Sequence, residues 1–287
     1  MNIRKFFLVA EACCNHMGNF EIAKKMIKTA KFCDADVIKF QKRKPSLCVP
    51  KDIQNKPHPN PQNAFADTYL DHRICLEFSI DEHKKIKKCC EENKIEYSTS
   101  VWDLISAEEI INIKPQIIKI PSACNLDFKL IDYIYEKHTG DLHISLGMTT
   151  KKERKKIIQH IQKHENRTVL YWTTSGYPVE FNELFLLEIK NLIETTNFTI
   201  GYSGHNLGIA VDIAAFTLGA TWIERHFTLD RTWKGTDQAA SLEPQGLAKL
   251  KRNLLATSKA LQWKNEDITY DEKENRKKLR VINPDMI

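Results

Sequence analysis

The sequence lacks the features that mark secreted, membrane-spanning and nucleic-acid-binding proteins. No apolar run approaches the length of a membrane span. The N-terminal segment MNIRKFFLVAEACC is too short and too polar for a secretory signal, and its apolar residues are expected to form a strand that ends at Glu11. Basic residues are spread beside acidic ones, without a basic stripe interleaved with exposed aromatic residues. We therefore expect no membrane segment and no nucleic-acid partner.

The cysteines also lack the spacing of a metal-binding or disulfide framework. There are eight of them, and no C-x-x-C ladder appears. Without such a ladder and without a secretory signal, the thiols are expected to be reduced and the protein to be cytoplasmic. The net charge of +6 is compatible with an anionic substrate.

Strand-like and helix-like segments alternate along the chain. The apolar pattern predicts strands at residues 6–11, 36–41, 95–100, 116–120, 141–146, 168–174, 198–203 and 221–226, each followed by a helical pattern. This alternation predicts an α/β fold, a single-domain (β/α)8 TIM barrel over residues 1–264, followed by a polar C-terminal extension over residues 265–287. The proline-rich connection over residues 42–78 is long for a compact domain, so we expect an irregular functional loop or lid there.

Polar side chains recur where the predicted strands end, which is where parallel barrels bind ligands. Lys39 and Lys119 need anionic partners there, because burying an unpaired ammonium group is costly. The serines at the same ends are Ser100, Ser122, Ser145, Ser175 and Ser203. Either the lysines form core ion pairs and the serines cap helices, or the two sets together bind a small polyanion. The joint pattern favours an anion site.

Two histidines follow neighbouring predicted strands. His205 and His226 lie one βα unit apart, and Asp237 is in the next loop. Two imidazoles so placed can share a divalent metal. The alternative is that both are ordinary polar residues at strand ends. The pattern favours a metal, and the residues alone predict a barrel enzyme that acts on a phosphorylated anion.

Several motifs resemble the sialic acid synthase (N-acetylneuraminate synthase) family. They are AEACCNHMG, VIKFQ, IKIPS, LGM, TTSGYP, GYSGH, IERHFTLD and TWKGTDQAASLEP. The resemblance covers nearly the whole chain, from Ala10 to about Arg276. It implies an enzyme that condenses phosphoenolpyruvate with an N-acyl hexosamine, such as N-acetylmannosamine or its 6-phosphate. The products would be a nonulosonic (sialic-type) acid and phosphate.

The resemblance also implies roles for the polar residues at the strand ends. Lys39, Lys119 and the serines named above would hold phosphoenolpyruvate. His205 and His226 would ligate a divalent ion, usually manganese in this family, with magnesium or cobalt as alternatives. The residues around the metal and the acceptor sugar would be Glu11, Gln41, Tyr177 and Asp237. A homodimer is expected as well.

Three departures from the family pattern concern the acceptor and the activity. Cys124 stands where the family usually has an acidic residue. We expect it to mark a changed acceptor; the alternative is a thiolate that replaces the carboxylate, with Lys119 lowering its pKa. Gln238 follows Asp237 where members often have histidine. Most members also carry an antifreeze-like C-terminal domain, and this chain stops at Ile287, about where that domain would begin. We expect either a separate domain or an acceptor that needs none.

Other functions remain open at this point. One is a barrel synthase of a seven- or eight-carbon keto sugar acid. Another is a Schiff-base aldolase that uses Lys39 or Lys119. The third is a non-catalytic, sugar-phosphate-binding homologue.

Overall fold

A computed structural model describes residues 4–176 and 178–282. Within these residues the strands are β1 (Phe7–Cys13), β2 (Val37–Lys42), β3 (Glu96–Val101), β4 (Ile117–Ile120), β5 (Asp141–Ser145), β6 (Thr168–Trp172), β7 (Thr199–Gly204) and β8 (Trp222–His226). The helices are α1 (Phe20–Phe32), α2 (Pro45–Cys48), α3 (Tyr69–Cys75), α4 (Ile80–Glu92), α5 (Leu104–Asn112), α6 (Phe128–Lys137), α7 (Lys151–Ile161), α8 (Leu187–Thr195), α9 (Ala210–Leu218), α10 (Pro244–Ala260) and α11 (Tyr270–Leu279). All eight predicted strands are present, and their ends differ from the prediction by at most two residues.

The strands run parallel in chain order, and β8 pairs with β1 to close the barrel. The register sets Glu11 opposite both Lys39 and His226. Between the neighbouring strands β7 and β8, Ser203 is opposite Glu224. The predicted (β/α)8 barrel is confirmed, and its polar residues share the carboxyl ends of the strands.

The interior of the barrel has an apolar layer beneath a polar one. Side chains two residues apart on a strand point to the same side, so Val9 lies below Glu11 and Val37 lies below Lys39. The apolar layer, which we call the barrel floor, consists of Phe7, Val9, Val37, Ile117, Val169, Tyr171 and Trp222. It fills the amino-terminal part of the barrel and leaves the carboxyl end for a polar site.

The outer faces of the strands pack against the helices in a second, larger apolar cluster. Ile38 of β2 belongs to this cluster together with Met26 and Ile27 of α1. Helix starts are fixed by caps: Ser79 and Glu82 form a capping box at the start of α4. Such a cap stabilises a helix by about 1 kcal/mol, so local signals and core packing agree on where the helices begin.

The structure differs from the expected irregular connection over residues 42–78. That connection contains α2 and α3, and the Thr68 side chain caps α3 by accepting a hydrogen bond from the Asp71 amide. Arg43 and Arg73, near its two ends, both line the cavity described below. The connection is therefore partly helical, and it places the positive charges of Arg43 and Arg73 at the barrel mouth.

The polar C-terminal segment also contains a helix that the apolar pattern does not predict. Thr269 and Glu272 form a capping box at the start of α11, and this helix has no buried residue. Because periodicity reveals helices through their apolar face, a helix without one is missed. The boundary between the barrel domain and the C-terminal extension, near residue 264, stays a prediction. None of the helices in the described ranges combines the length and apolar character needed to cross a membrane.

Candidate active site

Two buried lysines meet at one carboxylate inside the barrel. Glu224 Oε1 lies 2.7 Å from Lys119 Nζ and 3.7 Å from Lys39 Nζ. Lys39 also forms an ion pair with Glu11, and the Ser203 hydroxyl donates to Glu224 Oε1 at 3.1 Å. The two ammonium groups are thus balanced by two carboxylates, which makes their burial tolerable. Of the two interpretations weighed in the sequence, the ion pairing of the lysines is present, and the anion site stays a prediction.

The pKa values in this cluster follow from burial and mutual attraction. Burial lowers the pKa of Lys39 to about 7 although Glu224 is close. Burial also lowers the pKa of Lys119, against the attraction of Glu224. For Glu224, burial disfavours the charged form, but Lys119 and Lys39 outweigh it and hold the pKa at about 2. Glu224 therefore stays ionised, while Lys39 titrates near neutral pH.

A cavity of about 240 Å³ opens above the lysines. All the residues predicted to hold phosphoenolpyruvate line it: Lys39, Ser100, Lys119, Ser122, Ser145, Ser175 and Ser203. Gly147 lies next to two of these serines: a Cβ atom there would be 2.6 Å from the Oγ atoms of both Ser122 and Ser175. Two hydroxyls therefore converge at a point where a larger residue would displace them.

The two histidines of the sequence prediction lie side by side. The ring centroids of His205 and His226 are 5.4 Å apart. Burial lowers the pKa of His205 to about 3 and also lowers the pKa of His226, so both imidazoles are neutral at physiological pH. His205 Nδ1 lies 2.8 Å from the Thr174 carbonyl oxygen and donates to it, which puts the lone pair on Nε2.

A group of possible metal ligands lies at the same place. Cys13, His226 and Asp237 each offer a donor atom within 4.8 Å of the others. Neutral imidazole, carboxylate and sulfur are ligands of divalent transition ions. The donor set therefore fits a divalent cation, with His205 next to it.

Three of the four residues predicted around the metal and the acceptor line the cavity, namely Glu11, Gln41 and Asp237. Gln41 Nε2 donates to Cys13 Sγ at 2.7 Å, and Cys13 Sγ in turn lies 2.8 Å from Asp237 Oδ2. Tyr177 lies outside the described residues.

The loop that carries His205 is braced from β8. Arg225 Nη1 lies 2.5 Å from Asp212 Oδ2 and 2.7 Å from the Gly208 carbonyl oxygen. Its Nη2 lies 2.6 Å from the Asn206 carbonyl oxygen. The side chains of Arg225 and Asp212 are 1% and 0% exposed. Arg225 is therefore a positioning residue for the loop between β7 and α9.

Cys124 lies in the turn after β4, to one side of the cavity. Of the described residues in that turn, Ser122 and Ala123 line the cavity and Cys124 does not. Its thiol donates to the Trp102 carbonyl oxygen at 3.5 Å. Burial, with the nearby charge of Asp127, raises the pKa of Cys124 to about 12. The thiol is thus protonated at neutral pH, which gives no support to a catalytic thiolate.

Cavity residues to which the sequence prediction gave no role include Cys13, Arg43 and Glu224. Arg43 is hydrogen-bonded to Gln41, and its Nε lies 2.7 Å from a Glu77 oxygen. Arg43 and Glu224 each stand two residues from a predicted site residue on or next to a strand, so they point the same way. Applying the two-residue alternation of inward-facing side chains one repeat beyond Gln41 and one repeat before His226 would have assigned Arg43 and Glu224 to the site.

A closed parallel barrel with paired lysines, hydroxyls and a cation-binding donor set at its carboxyl ends defines a class of enzyme. It is one whose site is suited to a small anionic substrate and a divalent ion.

Comparisons with known proteins identify the family. A sequence model of the NeuB family matches residues 26–266. N-acetylneuraminate-9-phosphate synthase from Mus musculus is 34% identical over 256 residues, which cover 89% of this chain and 71% of the relative. N,N'-diacetyllegionaminic acid synthase from Campylobacter jejuni is 31% identical, over 99% of this chain and 85% of the relative. The crystal structure of an N-acetylneuraminic acid synthetase from Leptospira borgpetersenii, in complex with citrate, matches with a TM-score of 0.83 and 26% identity, covering 97% of this chain and 93% of that chain.

The chain therefore belongs to the NeuB family, which confirms the resemblance seen in the sequence. It is an enzyme, a phosphoenolpyruvate-dependent transferase of the sialic acid synthase type that forms a carbon–carbon bond. Synthases of this family generally depend on a divalent metal, in agreement with the donor set at the barrel mouth.

Proposed function

We propose that this enzyme condenses phosphoenolpyruvate with an N-acyl hexosamine, N-acetylmannosamine or its 6-phosphate, to give a nonulosonic acid and phosphate. The observation that carries this proposal is the convergence of two buried lysines and several serine hydroxyls on one cavity, beside the donor set for a cation. The relatives named above make different sugar acids, so the acceptor is the part of the proposal that most needs a direct test.

Lys39 and Lys119 would hold the anionic groups of phosphoenolpyruvate. Their ammonium groups are already close together at Glu224, and Ser100 Oγ lies 2.9 Å from Lys39 Nζ. An incoming phosphate or carboxylate would accept hydrogen bonds from these groups and from the serines at the wall. The buried, low-dielectric position makes each such contact stronger than at a surface.

Carbon 3 of phosphoenolpyruvate would then attack the aldehyde carbon of the open-chain sugar. Water adds at carbon 2, and phosphate leaves with cleavage of its C–O bond. A divalent ion bound at the cluster would supply Lewis-acid polarisation of the aldehyde. We assign the role of base for the water to Glu11, because Asp237 is engaged with Cys13 and belongs to the metal-ligand group. Glu11 takes the proton from the water, and this proton is passed on to the aldehyde oxygen as it becomes a hydroxyl. The new hydroxyl at carbon 2 gives its proton to the departing phosphate as the ketone forms.

Manganese at His205 and His226 is the ion we propose from the family resemblance, with magnesium and cobalt as alternatives. Asp237 would complete the oxygen ligands, and Gln41 would orient groups around it. We also propose a cytoplasmic homodimer. The cysteines of the described ranges are all free thiols, as expected in a reducing compartment. Light scattering of the purified protein measures the oligomeric state.

The test of the proposed function is phosphate release from phosphoenolpyruvate, combined with mass spectrometry of the products. The acceptors to compare are N-acetylmannosamine, its 6-phosphate, diacetamido hexoses and plain aldoses. We expect phosphate and a nonulosonic acid with one N-acyl hexosamine, and loss of both in Lys119→Met. Absence of phosphate release with every sugar would contradict the proposal. Trapping of a pyruvate adduct by borohydride would indicate an aldolase instead.

A further inference from the structure

Cys13 occupies an unusual position at the end of β1. The pairing of β1 with β2 is irregular between Glu11 and Cys13, and Cys13 has a φ of 46°. A bulge of this kind re-aims a side chain at a strand end. A residue other than glycine in the left-handed region is uncommon, and at Cys13 this conformation accompanies the irregular pairing at the strand end. The thiol lines the cavity and is only 3% exposed.

The sulfur is held among metal-binding groups. Cys13 Sγ lies 2.8 Å from Asp237 Oδ2 and 2.7 Å from Gln41 Nε2. Its sulfur, a His226 nitrogen and an Asp237 oxygen lie within 4.8 Å of one another. The spacing is compact enough for one ion to contact all three after small side-chain movements. The amide of Gln41 holds the sulfur in place through its hydrogen bond.

The other cysteines near the barrel mouth are placed differently. Cys14 Sγ accepts a hydrogen bond from Arg43 at 3.7 Å. Cys124 Sγ points to the Trp102 carbonyl oxygen. Neither belongs to the group of possible metal ligands in the described ranges. The chain thus directs one specific thiol to the cation site.

We propose that Cys13 is a thiolate ligand of the metal ion, together with His226 and Asp237. The inference rests on the proposed metal centre and specifies it further. Coordination replaces the S–H bond by a sulfur–metal bond, and the thiol proton leaves to solvent. A thiolate favours ions such as cobalt and zinc, while manganese prefers oxygen ligands. Compared with a site of imidazole and carboxylate ligands alone, Cys13 therefore shifts the preference away from manganese and toward cobalt, one of the alternative ions named above.

Cobalt substitution tests this directly, because a thiolate bound to Co²⁺ gives a charge-transfer band in the near ultraviolet. Metal-free full-length protein is titrated with Co²⁺ without oxygen and in reducing buffer. We expect the band in the wild type and in Cys14→Ser, the matched control, and its absence in Cys13→Ser. The dissociation constant for Co²⁺ should rise by at least about tenfold in Cys13→Ser, since even outer-shell changes cost that much. The change for Mn²⁺ should be smaller.

Each other outcome contradicts a defined part of the proposal. Co²⁺ binding to the wild type without the band would refute the thiolate and leave the metal centre standing. A band that persists in Cys13→Ser would assign it to another thiol and refute the role of Cys13. No Co²⁺ binding at all would refute the metal centre as well. The proposed condensation reaction would still be tested independently, by the release of phosphate from phosphoenolpyruvate. If Cys13→Ser does not fold, Cys13→Gly is used, because glycine adopts the positive φ without strain.

Discussion

Replacing Asp212 with asparagine should destabilise the whole barrel, because it leaves the buried Arg225 charge without its carboxylate. The two groups are 2.5 Å apart, and their side chains are 0% and 1% exposed. Breaking a buried pair by removing one partner costs about 3–5 kcal/mol. Unfolding entropy is about 2.1 cal/mol/K per residue, or about 0.6 kcal/mol/K for the 287 residues. The expected fall in Tm is therefore about 5–8 °C.

Thermal and urea unfolding of Asp212→Asn, followed by circular dichroism, measure this loss. The matched control is Glu21→Gln, which breaks an exposed pair between Glu21 and Lys24 and should cost about 1 kcal/mol or less. The double variant Asp212→Asn/Arg225→Met should recover part of the stability, since it removes the unpaired charge. A loss in Asp212→Asn as small as in the control would refute the assignment of Arg225 as a charge-dependent brace. Because Arg225 holds the His205 loop, kcat should fall in the same variant.

Four further predictions concern the site. His205→Ala or His226→Ala should abolish activity with an unchanged circular dichroism spectrum. A chelator should inactivate the wild type until Mn²⁺ is added. Full activity in the presence of chelator would exclude a metal from the mechanism. Burial lowers the pKa of Lys39 to about 7, so phosphoenolpyruvate affinity measured by calorimetry should fall as pH rises through that value, and this fall should be smaller in Lys39→Arg. Gly147→Ala forces a methyl group between two hydroxyls. A loss of about 1–3 kcal/mol in the binding free energy of phosphoenolpyruvate should raise its KM about 5- to 150-fold. An unchanged KM would place the phosphate elsewhere. Cys124→Ser should keep most activity with little change in that KM, while Cys124→Glu should shift the preference among acceptors; a serine variant inactive on every sugar would contradict this.

The sequence was sufficient to predict the fold because each strand carries its own signal. Apolar runs such as the one in β2 alternate with helical patterns, and residues at the strand ends then share one rim by the geometry of a parallel barrel. The contact between Lys119 and Glu224 was not predictable, since 105 positions separate them and only barrel closure brings them together. Cys13 was missed because a strand pattern does not reveal a bulge. The helix α11 was missed because it buries no apolar face.

The barrel floor has a consequence for the order of events in catalysis. Because Val9, Val37 and Trp222 fill the barrel beneath Glu11, Lys39 and Glu224, the cavity is a blind well with its mouth at the carboxyl ends of the strands. A ligand seated on the lysines can enter and leave only through the space above them. Once the sugar occupies that space, the smaller anion beneath it is trapped. With phosphoenolpyruvate at the lysines, as proposed above, the anion would have to bind first and the sugar second, and neither product could leave from below.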